Sequence, residues 1–228
     1  MEEQFIELCK NGYLDQAKKF LEENPTIDIS AENELAFRLT CVIGHLDLAQ
    51  WLYQIKPTID ISAFDEYAFR FTCENGHLEV AKWLLDIKPT IDISAIDEYA
   101  FLVACEYGYL DVAQWLYKVK PTVDISAQNE YAFRRACAKG HLDVAKWLLE
   151  IKPNIDISVF DEDVFRRACA KGHLDVAKWL LEIKPTIDIS ADNEYAFCKS
   201  CENGHSEVAE WLQSLCPEKY SLETKTKK

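Results

Sequence analysis

Around residue 140 the apolar positions follow a helical rule twice in close succession. In NEYAFRRACAKGHLDVAKWLLEIKPNIDISV, Ala132, Phe133, Ala136 and Cys137 fall three to four residues apart and predict a short first helix with one apolar face. Asn129 is placed to cap that helix, with Glu130 in its first turn. Gly140 predicts its end, because glycine takes the left-handed conformation at little cost. A second helix opens at HLD, where Asp143 suits the positive helix end. Leu142, Ala145, Leu148 and Ile151 form its apolar row, widened by Val144 and Trp147. Lys152 complements the negative end, and Pro153 biases the preceding residue away from helical angles. NIDIS then alternates apolar and polar and predicts an extended hairpin arm, not a third helix.

The 21 letters from Phe133 to Pro153 return unchanged from Phe165 to Pro185, 32 residues later. Gly12, Gly44, Gly76, Gly108, Gly140, Gly172 and Gly204 keep the same step, as do the prolines from Pro25 to Pro217 and the tryptophans from Trp51 to Trp211. The chain therefore divides into seven units: 1–32, 33–64, 65–96, 97–128, 129–160, 161–192 and 193–217, with a polar tail over 218–228. Neither helix of a pair can bury its stripe alone, so the units must stack, each covering the next. Lys19 stands in the Trp column of the first unit, and Glu210 and Gln213 flank Trp211 in the last. Polar replacements at the ends suit the outer faces of a capped array. The fold class expected is an all-α repeat solenoid with short β-hairpin arms.

Composition narrows the function. Hydrophobic residues are 49% and charged residues 28%, with a formal net charge of −14, which argues against nucleic acid or an anionic membrane as partner. MEEQFIELCKNG lacks the basic start and apolar segment of a secretory signal, and no apolar run nears the ~18–20 residues of a membrane span. A cytoplasmic location is expected. Seven of nine cysteines keep the 32-residue step (9, 41, 73, 105, 137, 169, 201) and read as small buried groups between helices. Cys198 and Cys201 (CKSC) lack the second half of a zinc site. His45, His77, His141, His173 and His205 share their column with Tyr13 and Tyr109, which marks turn structure over a catalytic base. The aspartates at 28, 60, 92, 124, 156 and 188 lack the clustered oxygens that calcium needs and are expected to bond backbone in the arms. No nucleotide loop or catalytic triad pattern is present. No enzyme activity, metal or cofactor is expected.

ACAKGHLDVAKWLL, TCENGHLEVAKWLL (72–85) and ACEYGYLDVAQWLY (104–117) resemble ankyrin repeats: small residues, two variable positions, Gly-His-Leu, an acid, then an aliphatic helix. The resemblance runs over residues 1–217. The family's Thr-Pro-Leu-His opening is replaced by YAFR (67–70, 131–134) or LAFR (35–38), and the period is 32 against the usual ~33. The wording ENGHLEVAKWLLDIKPTIDISAIDEYAF further resembles the ankyrin arrays of giant DNA viruses of amoebae. For this chain the likeness implies a non-enzymatic scaffold that binds another protein through a concave face of hairpin tips and first helices, in host cytoplasm if viral.

Disagreement among units points to candidate positions. The tip residue varies through Glu32, Phe64, Ile96, Gln128, Phe160 and Asp192, and the two residues before Gly vary as Val42–Ile43, Glu106–Tyr107, Ala138–Lys139 and Ala170–Lys171. Phe64, Ile96, Phe160, Val42, Ile43 and Tyr107 are candidate apolar anchors, with Gln128 at the tip between them. Arg135, Lys139, Arg167 and Lys171 form a basic stretch in an acidic chain, able to receive an acidic segment or to pair with Glu130 and Glu162. Drift would produce the same variation. The alternative reading is a structural spacer or self-assembling element; the binding reading expects a monomer.

Overall fold

The structure, a computed structural model, describes residues 1–220, the side chains of 159–161 excepted. The first helices of successive pairs are α1 (Glu2–Lys10), α3 (Ala31–Ile43), α5 (Ala63–Glu74), α7 (Ala95–Glu106), α9 (Ala127–Lys139), α11 (Val159–Ala170) and α13 (Ala191–Glu202). The second helices are α2 (Leu14–Glu23), α4 (Leu46–Ile55), α6 (Leu78–Ile87), α8 (Leu110–Val119), α10 (Leu142–Ile151), α12 (Leu174–Ile183) and α14 (Ser206–Leu215). This is the all-α repeat solenoid expected from the sequence. The described residues form two compact units, one of residues 1–104 with 111–123, the other of 105–110 with 124–220. In the first, α1 packs on α3 and α3 on α5; in the second, α9 packs on α11 and α11 on α13.

One aromatic pair builds each joint. Phe5, Phe37 and Phe69 are fully buried and meet Trp51, Trp83 and Trp115 with ring centroids 6.2–6.4 Å apart. In the second unit Phe133 meets Trp179 and Phe165 meets Trp211 in the same tilted geometry. Such pairs combine large apolar burial with a favourable ring geometry. Phe197 stacks on Tyr220, centroids 4.3 Å apart. Six column cysteines are buried free thiols and Cys201 is half-buried. Burial pushes the Cys9 thiol up to about 12 and the five others higher, so they are packing groups, not nucleophiles.

The arms are not strands. Among the described residues there is none, and each arm is a pair of turns. The amide of Ile27 donates to Asn24 O, that of Ala31 to Asp28 O, and that of Ser30 to Asp28 Oδ1. The same Asp–Ser bond recurs from Asp60, Asp92, Asp124, Asp156 and Asp188 at 2.9–3.1 Å. These local bonds take backbone groups that a ladder would need, while Ile27, Ile59 and Ile91 turn inward and are buried. The aspartate column thus bonds backbone, as expected.

From α3 onward, first helices begin at serine, not asparagine. Ser126 precedes α9 and its Oγ donates to Glu130 at 2.8 Å, while Asn129 lies at φ 58 inside a left-handed turn. Lys152 of the following helix donates to the same Ser126 Oγ, and Lys56 and Lys120 do so to Ser30 and Ser94. A Ser–Glu–Lys cluster under each of these tips explains why IDIS and KP scarcely vary. At the other end of the helix, Gly140 (φ 82) allows the His173 ring to approach; a Cβ there would lie 2.5 Å from His173 Nδ1. The histidine column is turn packing.

Candidate functional site

The apolar candidates stay exposed. Phe64 and Ile96, in the left-handed turns that open α5 and α7, are 54% and 50% exposed, and Ile43 at the end of α3 is 38%. Val42 is half-buried and Gln128 exposed. One face of Phe64 is covered by the Arg38 guanidinium, 4.6 Å from the ring centroid, which also donates to Asn33 O and Glu32 O. Tips and helix ends are not one cluster: nine helical residues set them about 12 Å apart. The side chain of Phe160 lies outside the described residues.

The basic candidates converge. Arg135, Lys139, Arg167 and Lys171 line one groove of ≈ 460 Å³ in the second unit, together with Ala138, Ala170, His173 and Tyr195. Helix periodicity brings Arg135 and Lys139 to one side of α9, and Arg167 and Lys171 to the same side of α11. The pairings are not with Glu130 and Glu162. Those glutamates turn under the tips to accept from Ser126 and Ser158. Stacking instead opposes residue i to i+25 through i+29: Glu106 accepts from Arg135 Nε at 2.9 Å and from Tyr131 Oη at 2.5 Å. Burial opposes the charge on Glu106, but those donors and the nearby Lys139 outweigh it and hold its pKa below the usual carboxylate range. Arg167 pairs with the buried Asp163 at 2.6 Å, and Arg134 approaches the same carboxyl at 3.7 Å. Arg166 pairs with Asp192 at 2.5 Å.

Lys139 lies 5.9 Å above the Tyr107 ring, so the 44%-exposed Tyr107 flanks this groove through a cation–π contact. Two anions, Glu106 and Asp163, face four cations, a local positive excess in a chain of net charge −14. Sequence reading placed Ala138 and Ala170 among the variable positions without naming them as site residues, and it missed Tyr195. Their signal is present: the column of Ala138 and Ala170 holds Glu at 74, 106 and 202.

Among the described residues no helix is long and apolar enough to cross a membrane. No curated protein matches the chain significantly. The family model for ankyrin repeats (3 copies) matches residues 69–161 and 135–223, more than half of the 228 residues. With fourteen described helices in repeated pairs around a recurring Phe–Trp joint, the chain belongs to the ankyrin repeat family.

Proposed function

We propose that this chain is a non-enzymatic scaffold that holds a partner protein against its tips and first helices. Ankyrin repeats are in general protein–protein interaction modules. One observation carries the reading: Phe64 and Ile96 are half-exposed apolar side chains on left-handed backbone, φ 57 and 55. Asn and Gly suit that conformation, whereas a β-branched residue there is an outlier. Folding gives no reason for Ile96 and gives Phe64 the Arg38 contact on one face alone; an apolar anchor on a partner accounts for both. The likeness of the repeats to the ankyrin arrays of giant DNA viruses of amoebae supports an amoebal partner protein and action in the host cytoplasm.

The test compares wild type with Phe64→Ser/Ile96→Ser, its fold verified by circular dichroism, in pull-downs from amoebal lysate read by mass spectrometry. The expected result is at least one protein retained by wild type and reduced tenfold or more by the variant. Equal recovery of every protein by both would remove the tips from the binding face. Mass rising with concentration, with no retained protein, would replace the scaffold reading with self-assembly.

A further inference from the structure

We propose that the groove bordered by α9, α11 and α13 receives a carboxylate side chain from an acidic segment of a protein partner, seated over Ala170. The proposal rests on the scaffold reading and names the chemistry that one part of the scaffold recognises.

The chain itself provides the template. At the end of α5, Glu74 accepts from Tyr99 Oη at 2.6 Å. At the end of α7, Glu106 accepts from Tyr131 Oη and Arg135. A carboxylate at the last turn of one first helix thus meets a tyrosine at the start of the next. One step on, the column holds Ala138, and the tyrosine is replaced by Asp163, whose own carboxylate pairs with Arg167. The step after holds Ala170 against Tyr195: the tyrosine is back, and Ala170 has no carboxylate to meet its hydroxyl. Tyr195 borders the groove with Arg167 and Lys171, both exposed. Of the template's donors the tyrosine is present as Tyr195, while the place of Arg135 is held by Lys199, which pairs with Glu202; Arg167 and Lys171 supply the cations instead, around a place from which the acceptor has been deleted.

Charge and size favour a peptide carboxylate. The groove holds two more cations than anions, and its ≈ 460 Å³ falls within the roughly 300–1,000 Å³ of ligand sites. Attraction between exposed charges fades beyond about 8–10 Å at physiological salt, so a short acidic segment feels mainly the groove. A nucleic acid strand would extend its phosphates over the acidic remainder of a chain carrying −14, where they are repelled. Arg and Tyr donors already aligned on Glu106 two joints away show that this joint geometry suits a carboxylate.

The experiment measures fluorescence anisotropy of a fluorescein-labelled Gly-Glu repeat peptide with the full chain at 50 mM NaCl. Saturable binding is expected, weakened tenfold or more in Ala170→Glu, which supplies the missing carboxylate from within. That residue type already ends α5, α7 and α13 as Glu74, Glu106 and Glu202, so the substitution suits the fold. Lys171→Gln and Tyr195→Phe, each at least threefold weaker, read the same site should Ala170→Glu not fold. Phe64→Ser/Ile96→Ser is expected to bind the peptide as wild type does, so loss of tip function and loss of groove function are read separately. Unchanged binding by folded Ala170→Glu, or by both other variants, overturns the proposal. Displacement of the peptide by a single-stranded RNA oligomer at equal concentration also overturns it.

Discussion

At the scale of single residues the tips hold an apparent contradiction. Glu32–Glu34, Phe64–Glu66, Ile96–Glu98, Gln128–Glu130 and Asp192–Glu194 all have φ between 53 and 63, with no glycine among them. Left-handed backbone costs an L residue roughly 1–2 kcal/mol. A Ser–Glu bond ties down the turns that end at Glu34, Glu66, Glu98 and Glu130, and Lys219 donates to Ser190 beneath the last; Ser94 Oγ bonds both Glu98, at 2.5 Å, and Lys120. Ile96 (φ 55, ψ 61) is the least suited to this backbone, being β-branched, and half its surface contributes no burial. Ile96→Asn is therefore expected to raise unfolding free energy by about 1 kcal/mol in urea titration, while weakening partner capture. A variant less stable than wild type would mean that packing at Ile96 outweighs its strain.

At the scale of the helix pair, five of the second helices open on a histidine that lies against the glycine of the preceding pair, as His77 does on Gly44 and His173 on Gly140. Burial lowers the pKa of both, His45 adding to the effect at His77. At His173 a bond to the Ala138 backbone and the charge of Asp175 oppose it, and His141 and His205 reinforce it. A histidine pKa lower in the folded state means that the neutral ring is the one that fits. This contribution is complete above the unfolded value near 6.5 and is lost as pH falls from there through the folded value. His77→Tyr/His173→Tyr, copying Tyr13 and Tyr109 of the same column, should keep stability at pH 8 and lose less between pH 6.5 and 5. Urea midpoints across that range decide it; parallel curves would assign the acid sensitivity elsewhere. The pair itself was legible because it repeats with helical periodicity inside about 20 residues. Pairings across the stack were not: neighbours along a helix pointed to Glu130 and Glu162 as partners of the arginines, whereas packing supplies Glu106 and Asp163. Tyr220 was hidden for a related reason, since it fills the Trp position against Phe197 from a segment outside the 32-residue register.

At the scale of the whole molecule, charge sets two opposing responses to salt. A formal charge of −14 on 228 residues means that exposed carboxylates repel across neighbouring pairs. The screening length is ~30 Å at 0.01 M salt and ~8 Å at 0.15 M, against a helix spacing of roughly 8–10 Å. Raising NaCl over that interval should silence most of the repulsion between units while leaving buried pairs such as Glu106 with Arg135 nearly intact. If this relieves about 1–2 kcal/mol, the thermal midpoint rises by about 2–8 °C, at 2–4 °C per kcal/mol for a chain of this size. Binding of the acidic peptide moves the other way, because screening weakens the attraction of Lys139, Arg167 and Lys171 for its carboxylates. Melting curves and anisotropy titrations over the same salt series therefore diverge if both arguments hold. Affinity that survives 0.15 M salt unchanged would assign recognition to apolar contacts, with Tyr107 the nearest exposed ring. A midpoint that falls with salt would show that pairing between opposite charges, such as Arg166 with Asp192, outweighs the repulsion of the acidic excess.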